Sequence, residues 1–294
     1  MLAGIEASRT KVVCAVSDVD LNLKGSVVFP LTTPEETIGD IFKYLSKFDI
    51  EAVGIGCFGP LDLNKNSPTY GYITKSSKIG WTDIDLAGVF KTAYNVPVSI
   101  DTCANVAILA EVYKGAAHAC SNAIYVSVGS GIDVGVYCNG DLVHGLVHPE
   151  AGHMLLNRHN DDSFESSCIF HNNCVEGLAS GRAIEKRWRK SPKLLIDNEK
   201  VWELEAYYLG QAISNYILAY SPEKVILWGG IMHQDKRFGM VRNQVKEFLN
   251  GYVYSEKVAT DIDKYIVKPM LGEQPGVTGA LYLAKKALRD SNRQ

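Results

Sequence analysis

Leu2-Ala3-Gly4-Ile5-Glu6, then Ala7-Ser8-Arg9-Thr10, then Lys11-Val12-Val13-Cys14-Ala15-Val16-Ser17 read as a short apolar strand, a turn of small and hydroxyl residues, and a second apolar strand. The same design returns in the middle of the chain: Ala123–Val128, the turn Gly129-Ser130-Gly131-Ile132-Asp133, and a strand over 134–138. Such turns allow unusual backbone angles and can present N–H groups to an anion. Each one alone reads more readily as an ordinary hairpin. Two of them, each opening a half of the chain, shift the balance toward turns built to meet an anion.

Behind each hairpin the order of elements is similar. Thr33-Pro34-Glu35-Glu36 starts a helix, with Thr33 as N-cap, proline at the first position and Glu36 placed to close a capping box. Apolar residues then recur at Ile38, Ile41, Phe42, Leu45 and Phe48 with helical spacing. Strands are expected over 52–56 and 96–100, the latter running into Asp101-Thr102-Cys103-Ala104-Asn105 and a helix to about Tyr113. In the second half, 201–220 reads as a long buried helix, Lys224–Trp228 as a strand ending in Gly229-Gly230, and 276–288 as a closing helix. Strands alternating with helices predict an α/β fold. With no linker rich in proline, serine or charge, the boundary near 115–122 reads as a hinge. The expected domains are 1–117, completed by a closing helix at about 276–294, and 118–275. Open α/β sheets bind ligands at the carboxyl ends of strands, and a cleft between two such domains can enclose a substrate. The strand end at Asp101-Thr102-Cys103 is therefore a candidate site.

Composition narrows the function classes. The chain has 294 residues, 46% apolar and 21% charged, with Lys+Arg 30 against Asp+Glu 33 and a net charge of −3. That excludes disorder, collagen-like repeats and a small disulfide scaffold. The mild acidity offers no field to attract nucleic acid or an anionic membrane, so a small-molecule partner is expected. No apolar stretch reaches the ~18–20 residues of a membrane span and no signal peptide opens the chain, which predicts a cytoplasmic protein. The odd set of seven cysteines fits a reducing compartment.

Two cysteines belong to a pattern. His153, Cys168, His171 and Cys174 offer two nitrogens and two thiolates, with two residues separating each neighbouring pair in Cys168-Ile169-Phe170-His171-Asn172-Asn173-Cys174. Four such ligands satisfy tetrahedral zinc and leave no open position, which predicts a structural site. The competing reading is unmetallated thiols and surface histidines in a polar loop. His144, His148 and His159 read as solvated or packed rather than as ligands. Glu150 and Glu176 flank the loop, and carboxylates so held can accept hydrogen bonds from a polyhydroxyl ligand. Taken by itself, a glutamate on a surface loop is more readily explained by solvation.

Four runs carry a resemblance: Gly59-Pro60-Leu61-Asp62-Leu63-Asn64, Ser67-Pro68-Thr69-Tyr70-Gly71-Tyr72-Ile73-Thr74, His148-Pro149-Glu150-Ala151-Gly152-His153 and Gly177-Leu178-Ala179-Ser180-Gly181. Over nearly the whole chain the sequence resembles the bacterial fructokinases of the ROK (repressor, open reading frame, kinase) sugar-kinase family. The resemblance implies two actin-like (ribonuclease H-like) α/β domains with a zinc-braced loop, MgATP, and phosphate transfer to the fructose 6-hydroxyl. It implies zinc on His153, Cys168, His171 and Cys174, and sugar contacts from Gly59, Thr102, Asn105, Glu150, His153 and Glu176. By the same resemblance Thr10, Lys11, Ser130, Gly131, Arg182, Gly229, Gly230 and Gln234 would bind the nucleotide, and a homodimer is expected. The family's repressors carry an added N-terminal DNA-binding helix-turn-helix. Here the first strand follows Met1 directly, so direct nucleic-acid binding is not expected.

The departures cluster on the phosphate side. Where the family has Asp-Thr-Asp-x-Asn, with the second aspartate as catalytic base, this chain has Asp101-Thr102-Cys103-Ala104-Asn105. Ser8-Arg9-Thr10 replaces Gly-Gly-Thr, Asp133 replaces a glycine of the second turn, Arg182 replaces a proline and Trp228 replaces the first of three glycines. A general base contributes ~10²–10⁴ in rate. A thiol has a free pKa of about 8.5, raised further beside phosphates, so Cys103 is a poor substitute. Asp133 would repel a polyphosphate, an effect Arg9 offsets in part. Because phosphoryl transfer rests mainly on positioning and charge stabilisation, loss of the base lowers the rate without abolishing it. Asp101 is the candidate substitute base. The alternative to a fructokinase is a catalytically silent sugar-binding or regulatory protein on the same fold. A plain structural zinc protein would explain neither the paired turns nor the sugar-side runs.

Overall fold

The opening hairpin forms the middle of a five-stranded sheet in the computed structural model, which describes residues 1–76, 78–272 and 275–293. β1 (Leu2–Ala7) pairs antiparallel with β2 (Lys11–Ser17), and β2 with β3 (Leu23–Pro30). Helix α1 (Pro34–Leu45) comes next, its N-cap Thr33 accepting the Glu36 N–H at 3.3 Å. β4 (Ala52–Cys57) lies parallel to β1. A small pair, β5 (Tyr72–Ile73) and β6 (Ile84–Asp85), leads into α2 (Leu86–Tyr94). β7 (Val98–Thr102) then joins β4 in parallel and passes into α3 (Cys103–Lys114). The strand order is β3-β2-β1-β4-β7.

β1 and β4 are buried on both faces, which is why they read as continuous apolar runs rather than as alternating ones. One face packs Ile5, Val12, Val53 and Ile55 against Ile41 and Leu45 of α1 and Phe90 of α2. The other packs Leu2, Ala15 and Ala52 against Val277, Leu281 and Ala284 of the last helix of the chain. Gly54 permits that approach: a Cβ there would lie 2.5 Å from the Ala284 nitrogen and against the Ala280 carbonyl. β3 alternates exposed and half-buried residues, as an edge strand does, and Gly25 and Ser26 hide it from a search for apolar runs.

The second sheet has the same plan. β8 (Ala123–Val128) and β9 (Ile132–Cys138) form its hairpin, and β10 (Asp141–Leu142) flanks β9. After a 3₁₀ turn at Ala151–His153 come α4 (Val175–Ala179), α5 (Gly181–Trp188) and α6 (Glu199–Tyr220). β11 (Lys224–Trp228) pairs in parallel with β8. Next are α7 (Asp235–Leu249), α8 (Glu256–Ala259), α9 (Ile262–Tyr265) and β12 (Ile266–Val267), which is parallel to β11. The order is β10-β9-β8-β11-β12, so β8 occupies in this sheet the position of β1 in the first. The chain ends in α10 (Pro275–Ser291). Gln294, the last residue of the expected closing helix, lies outside the described residues.

The chain clusters into two compact units: Met1–His118 with Leu142–Pro149 and Leu271–Gln294, and Ala119–Asp141 with Glu150–Met270. Among the described residues, no helix is long and apolar enough to cross a membrane.

Candidate functional site

In the first unit, chemistry concentrates where β7 turns into α3. Thr102 caps the helix, its Oγ1 accepting the Asn105 N–H at 3.2 Å, and this fixes Asp101 as the last buried carboxylate of the strand. Asp101 Oδ1 accepts the Thr102 N–H at 2.8 Å and the Asn105 side-chain amide at 2.6 Å, while Oδ2 lies 2.9 Å from His144 Nε2. Asn105 Nδ2 also lies 3.4 Å from His148 Nδ1. Cys103, the first residue of α3, turns its Sγ toward the Ala7 carbonyl at 3.3 Å. Asp101, Thr102 and Asn105 are thus brought together. His144 and His148, which read from the sequence as solvated or packed, belong to the same cluster. A lone histidine in a polar loop carries no local signal of such a partner.

Glu6 is a further residue that the sequence did not single out. Burial raises its carboxyl above the usual carboxylate range, Lys11 opposing, and its oxygen fills the space beside Gly276, where a Cβ would lie 2.6 Å away. Thr10 and Lys11 sit exposed at the first turn, where Ser8 accepts the Lys11 N–H at 3.4 Å and donates its hydroxyl to the Lys11 carbonyl at 2.8 Å. Lys78 Nζ reaches the Arg9 carbonyl at 2.5 Å, tying a later loop to this turn. Gly59 is exposed just beyond β4.

In the second unit the phosphate-type turn is shorter than expected. β9 begins at Ile132, so the turn is Gly129-Ser130-Gly131, and Asp133 pairs with Ser127 inside the ladder. The Asp133 carboxylate accepts the Val134 N–H at 2.9 Å. This corrects the placement of Asp133 in the turn: hairpin register, a long-range property, put it in the strand. Glu176 Oε2 accepts the Ile132 N–H at 3.0 Å, and Arg182 Nε donates to the Ser130 carbonyl at 3.1 Å. Arg182 and Glu176 are also paired at 3.9 Å. Ser130, Gly131, Glu176 and Arg182 therefore form one group, joining a residue expected on the sugar side to three expected on the nucleotide side.

Gly229 closes β11 at φ +122°, a left-handed conformation that favours glycine, with a Cβ position 2.6 Å from the Val128 carbonyl carbon. Gly230 has open space where a side chain would be. Gln234 is half-buried at the residue before α7. Trp228 stacks near His233, ring centroids 4.9 Å apart. Glu150 is exposed at the residue before the 3₁₀ turn that carries His153.

The four ligand candidates converge. The donor atoms of His153, Cys168, His171 and Cys174 all lie within 4.8 Å of one another. Cys168 Sγ is 3.8 Å from His153 Nδ1 and 3.7 Å from His171 Nδ1, and Cys174 Sγ is 3.5 Å from His153 Nδ1. Metal bonds of about 2.3 Å to sulfur and about 2.0–2.1 Å to nitrogen at tetrahedral angles put S and N about 3.6 Å apart, so a tetrahedral ion fits. The Phe170 N–H points at Cys168 Sγ (3.4 Å) and the Gly177 N–H at Cys174 Sγ (3.3 Å), the outer hydrogen bonds that thiolates accept. Burial pushes the Cys174 thiol up to about 12, against the Gly177 N–H, and the Cys168 and Glu176 charges add to the rise. A bound dication reverses that balance.

A family model described as the ROK family matches residues 2–287. A fructokinase from Pediococcus pentosaceus is 39% identical, covering 99% of this chain and 100% of its own. A fructokinase from Zymomonas mobilis subsp. mobilis is 40% identical, covering 96% of each. Among solved structures, a ROK hexokinase from Thermus thermophilus superposes with a TM-score of 0.83 at 23% identity, over 98% of this chain and 99% of that one. A ROK family glucokinase from Streptomyces griseus, in complex with glucose and AMPPNP, gives 0.72 at 20% identity, over 97% and 99%. The fold is the α/β actin-like (ribonuclease H-like) architecture of these sugar kinases. With the family model spanning both sheets and relatives matched end to end, the chain belongs to the ROK family.

Proposed function

We propose that this protein is an ATP-dependent fructokinase, transferring the γ-phosphoryl group of MgATP to the fructose 6-hydroxyl. The observation that carries the reading is 39% identity, over 99% of this chain and all of the relative, with a protein named fructokinase. Gly59, Thr102, Asn105, Glu150, His153 and Glu176 are assigned to the sugar; Asn105, buried and held by Asp101, has a side-chain oxygen with no partner among the described residues. Thr10, Lys11, Ser130, Gly131, Arg182, Gly229, Gly230 and Gln234 are assigned to the nucleotide. Backbone N–H groups at turns of small residues suit its phosphates. Magnesium enters with ATP. Zinc on His153, Cys168, His171 and Cys174 would brace the loop from which Glu176 extends, since four protein ligands leave no open position for chemistry. A cytoplasmic homodimer without a nucleic-acid partner completes the reading, with residues 1–117 and about 276–294 as one domain and 118–275 as the other.

One observation favours a second reading, a silent sugar-binding or regulatory protein. The head of α3 carries the Cys103 thiol, engaged with the Ala7 carbonyl, where the family's fructokinases have a carboxylate. Asp101 is no ready replacement, because three donors already occupy its carboxylate. ADP release from MgATP, with and without fructose, tests both readings on the unmodified protein and on Cys103→Asp. Fructose-dependent release by the unmodified protein is expected. Turnover by Cys103→Asp alone would establish the silent reading, and no fructose-dependent release from either protein would refute a fructokinase.

A further inference from the structure

The Asp101–His144 pair has the arrangement of a base and its orienter. Asp101 is 4% exposed, and two of its three hydrogen bonds, to Thr102 N–H and Asn105 Nδ2, lock the carboxylate plane. The remaining oxygen meets His144 Nε2 at 2.9 Å. The histidine side chain is 33% exposed, so a buried carboxylate holds an imidazole that still reaches the surface. A carboxylate on one ring nitrogen sets the tautomer: with Nε2–H donated to Asp101, the lone pair lies on Nδ1, and an imidazolium formed there is stabilised. His144 lies on the segment Leu142–Pro149, which clusters with the first unit, and its partner stands two residues before Cys103 at the start of α3.

We propose that His144, oriented by Asp101, is the general base that accepts the proton of the attacking sugar hydroxyl in this protein. The proposal rests on the fructokinase reading. In the step, the sugar 6-oxygen forms a bond to the γ-phosphorus. The bond from that phosphorus to the β,γ-bridging oxygen breaks, and ADP leaves with its electron pair. The hydroxyl proton passes to His144 Nδ1, and the imidazolium, facing the Asp101 carboxylate, returns it to water. His144 is then a catalytic residue and Asp101 a positioning residue. Groups near the pair include the His148 ring, its centroid 6.5 Å from that of His144, and Tyr70, whose phenol is raised first by burial and then by the charge of Asp101.

The test is steady-state ADP release with MgATP and fructose between pH 5.5 and 9, for the unmodified protein, His144→Gln, Cys103→Asp and the double variant, with melting temperatures to establish folding. His144→Gln is expected to lower kcat by ~10²–10⁴ with little change in KM for fructose. The rate of the unmodified protein is expected to fall on the acid side, tenfold per pH unit once the imidazole is protonated. With a carboxylate at position 103, the loss on His144→Gln shrinks below tenfold and the acid limb moves toward the carboxylate range. A purely structural histidine would lower both backgrounds alike. Asp101→Asn is a second probe: it keeps a hydrogen bond to the ring but offers a donor in place of a charge, and a large fall in kcat is expected with the fold intact. The proposal is overturned if His144→Gln retains the activity of the unmodified protein, if the loss is equal in both backgrounds, or if only Cys103→Asp turns over. No fructose-dependent release by the unmodified protein or by Cys103→Asp would instead sink the fructokinase reading beneath it.

Discussion

Replacing Glu205 by glutamine should stabilise the protein in neutral and alkaline solution and have little effect in acid. Glu205 lies on α6, 3% exposed, and neither carboxyl oxygen has a hydrogen-bond partner among the described residues. Arg187 and Arg237 are close enough to oppose the effect of burial, but both are engaged elsewhere: Arg187 pairs with Asp162, and Arg237 stacks on Trp202 at 3.3 Å. Burial wins, and it pushes the Glu205 carboxyl from 4.5 up to about 8. The folded chain then binds a proton that the unfolded chain has released, so stability falls as pH rises. The contribution is present in full below 4.5, is lost progressively as pH climbs to 8, and levels off above it. At about 1.36 kcal/mol per pKa unit the loss reaches about 3 kcal/mol at pH 7 and about 5 kcal/mol well above pH 8. Glutamine keeps the shape and removes the titration. Urea unfolding of both proteins at pH 5 and pH 8.5, followed by circular dichroism, reads the difference. The gap between variant and unmodified protein should widen by about 4 kcal/mol across that range, the other titrating groups cancelling. Parallel profiles would show that the carboxyl is solvated or paired, and would refute the reasoning.

The ligand cluster and the packing lead to two further outcomes. Metal analysis should find about one zinc per chain, lost on prolonged chelation or in Cys174→Ser, with a fall in melting temperature; a metal-free preparation melting at an unchanged temperature would rule out a structural metal. Gly54→Ala should cost at least the ~1–3 kcal/mol typical of overpacking, because its Cβ would meet α10 backbone rather than a side chain that can turn aside. A change within ~0.5 kcal/mol in urea unfolding would mean that α10 packs less closely against β4 than this geometry requires.

Elements whose signal is local were legible in advance. The hairpin of β1 and β2, the Thr33 cap of α1, the junction at Thr102 and strand β11 each announce themselves within a few residues, through apolar runs or turn chemistry. β3 and α7 were not anticipated. β3 is a half-exposed edge whose pairing comes from β2, and α7, although buried at Phe238, Val241, Val245 and Leu249, is dominated by its polar face. The four metal-ligand candidates could be named in advance because three share one short loop, and the donor atoms do converge.

By itself the sequence determined the alternation of strands and helices, the two glycine- and hydroxyl-bearing turns, the ligand spacing and the presence of Cys103 at the head of α3. All of these are encoded in neighbours along the chain. Only the tertiary structure decided which distant residues share a site. It drew Asp133 out of the turn into β9, set Glu176 against the N–H of Ile132, and brought His144 to Asp101 across 43 positions of sequence. Such pairings depend on how sheet register and helix packing fold intervening segments back, and a histidine or glutamate in a loop carries no trace of the partner it will meet. His144 was in the sequence throughout, and its pairing with a buried aspartate is visible only in the folded chain.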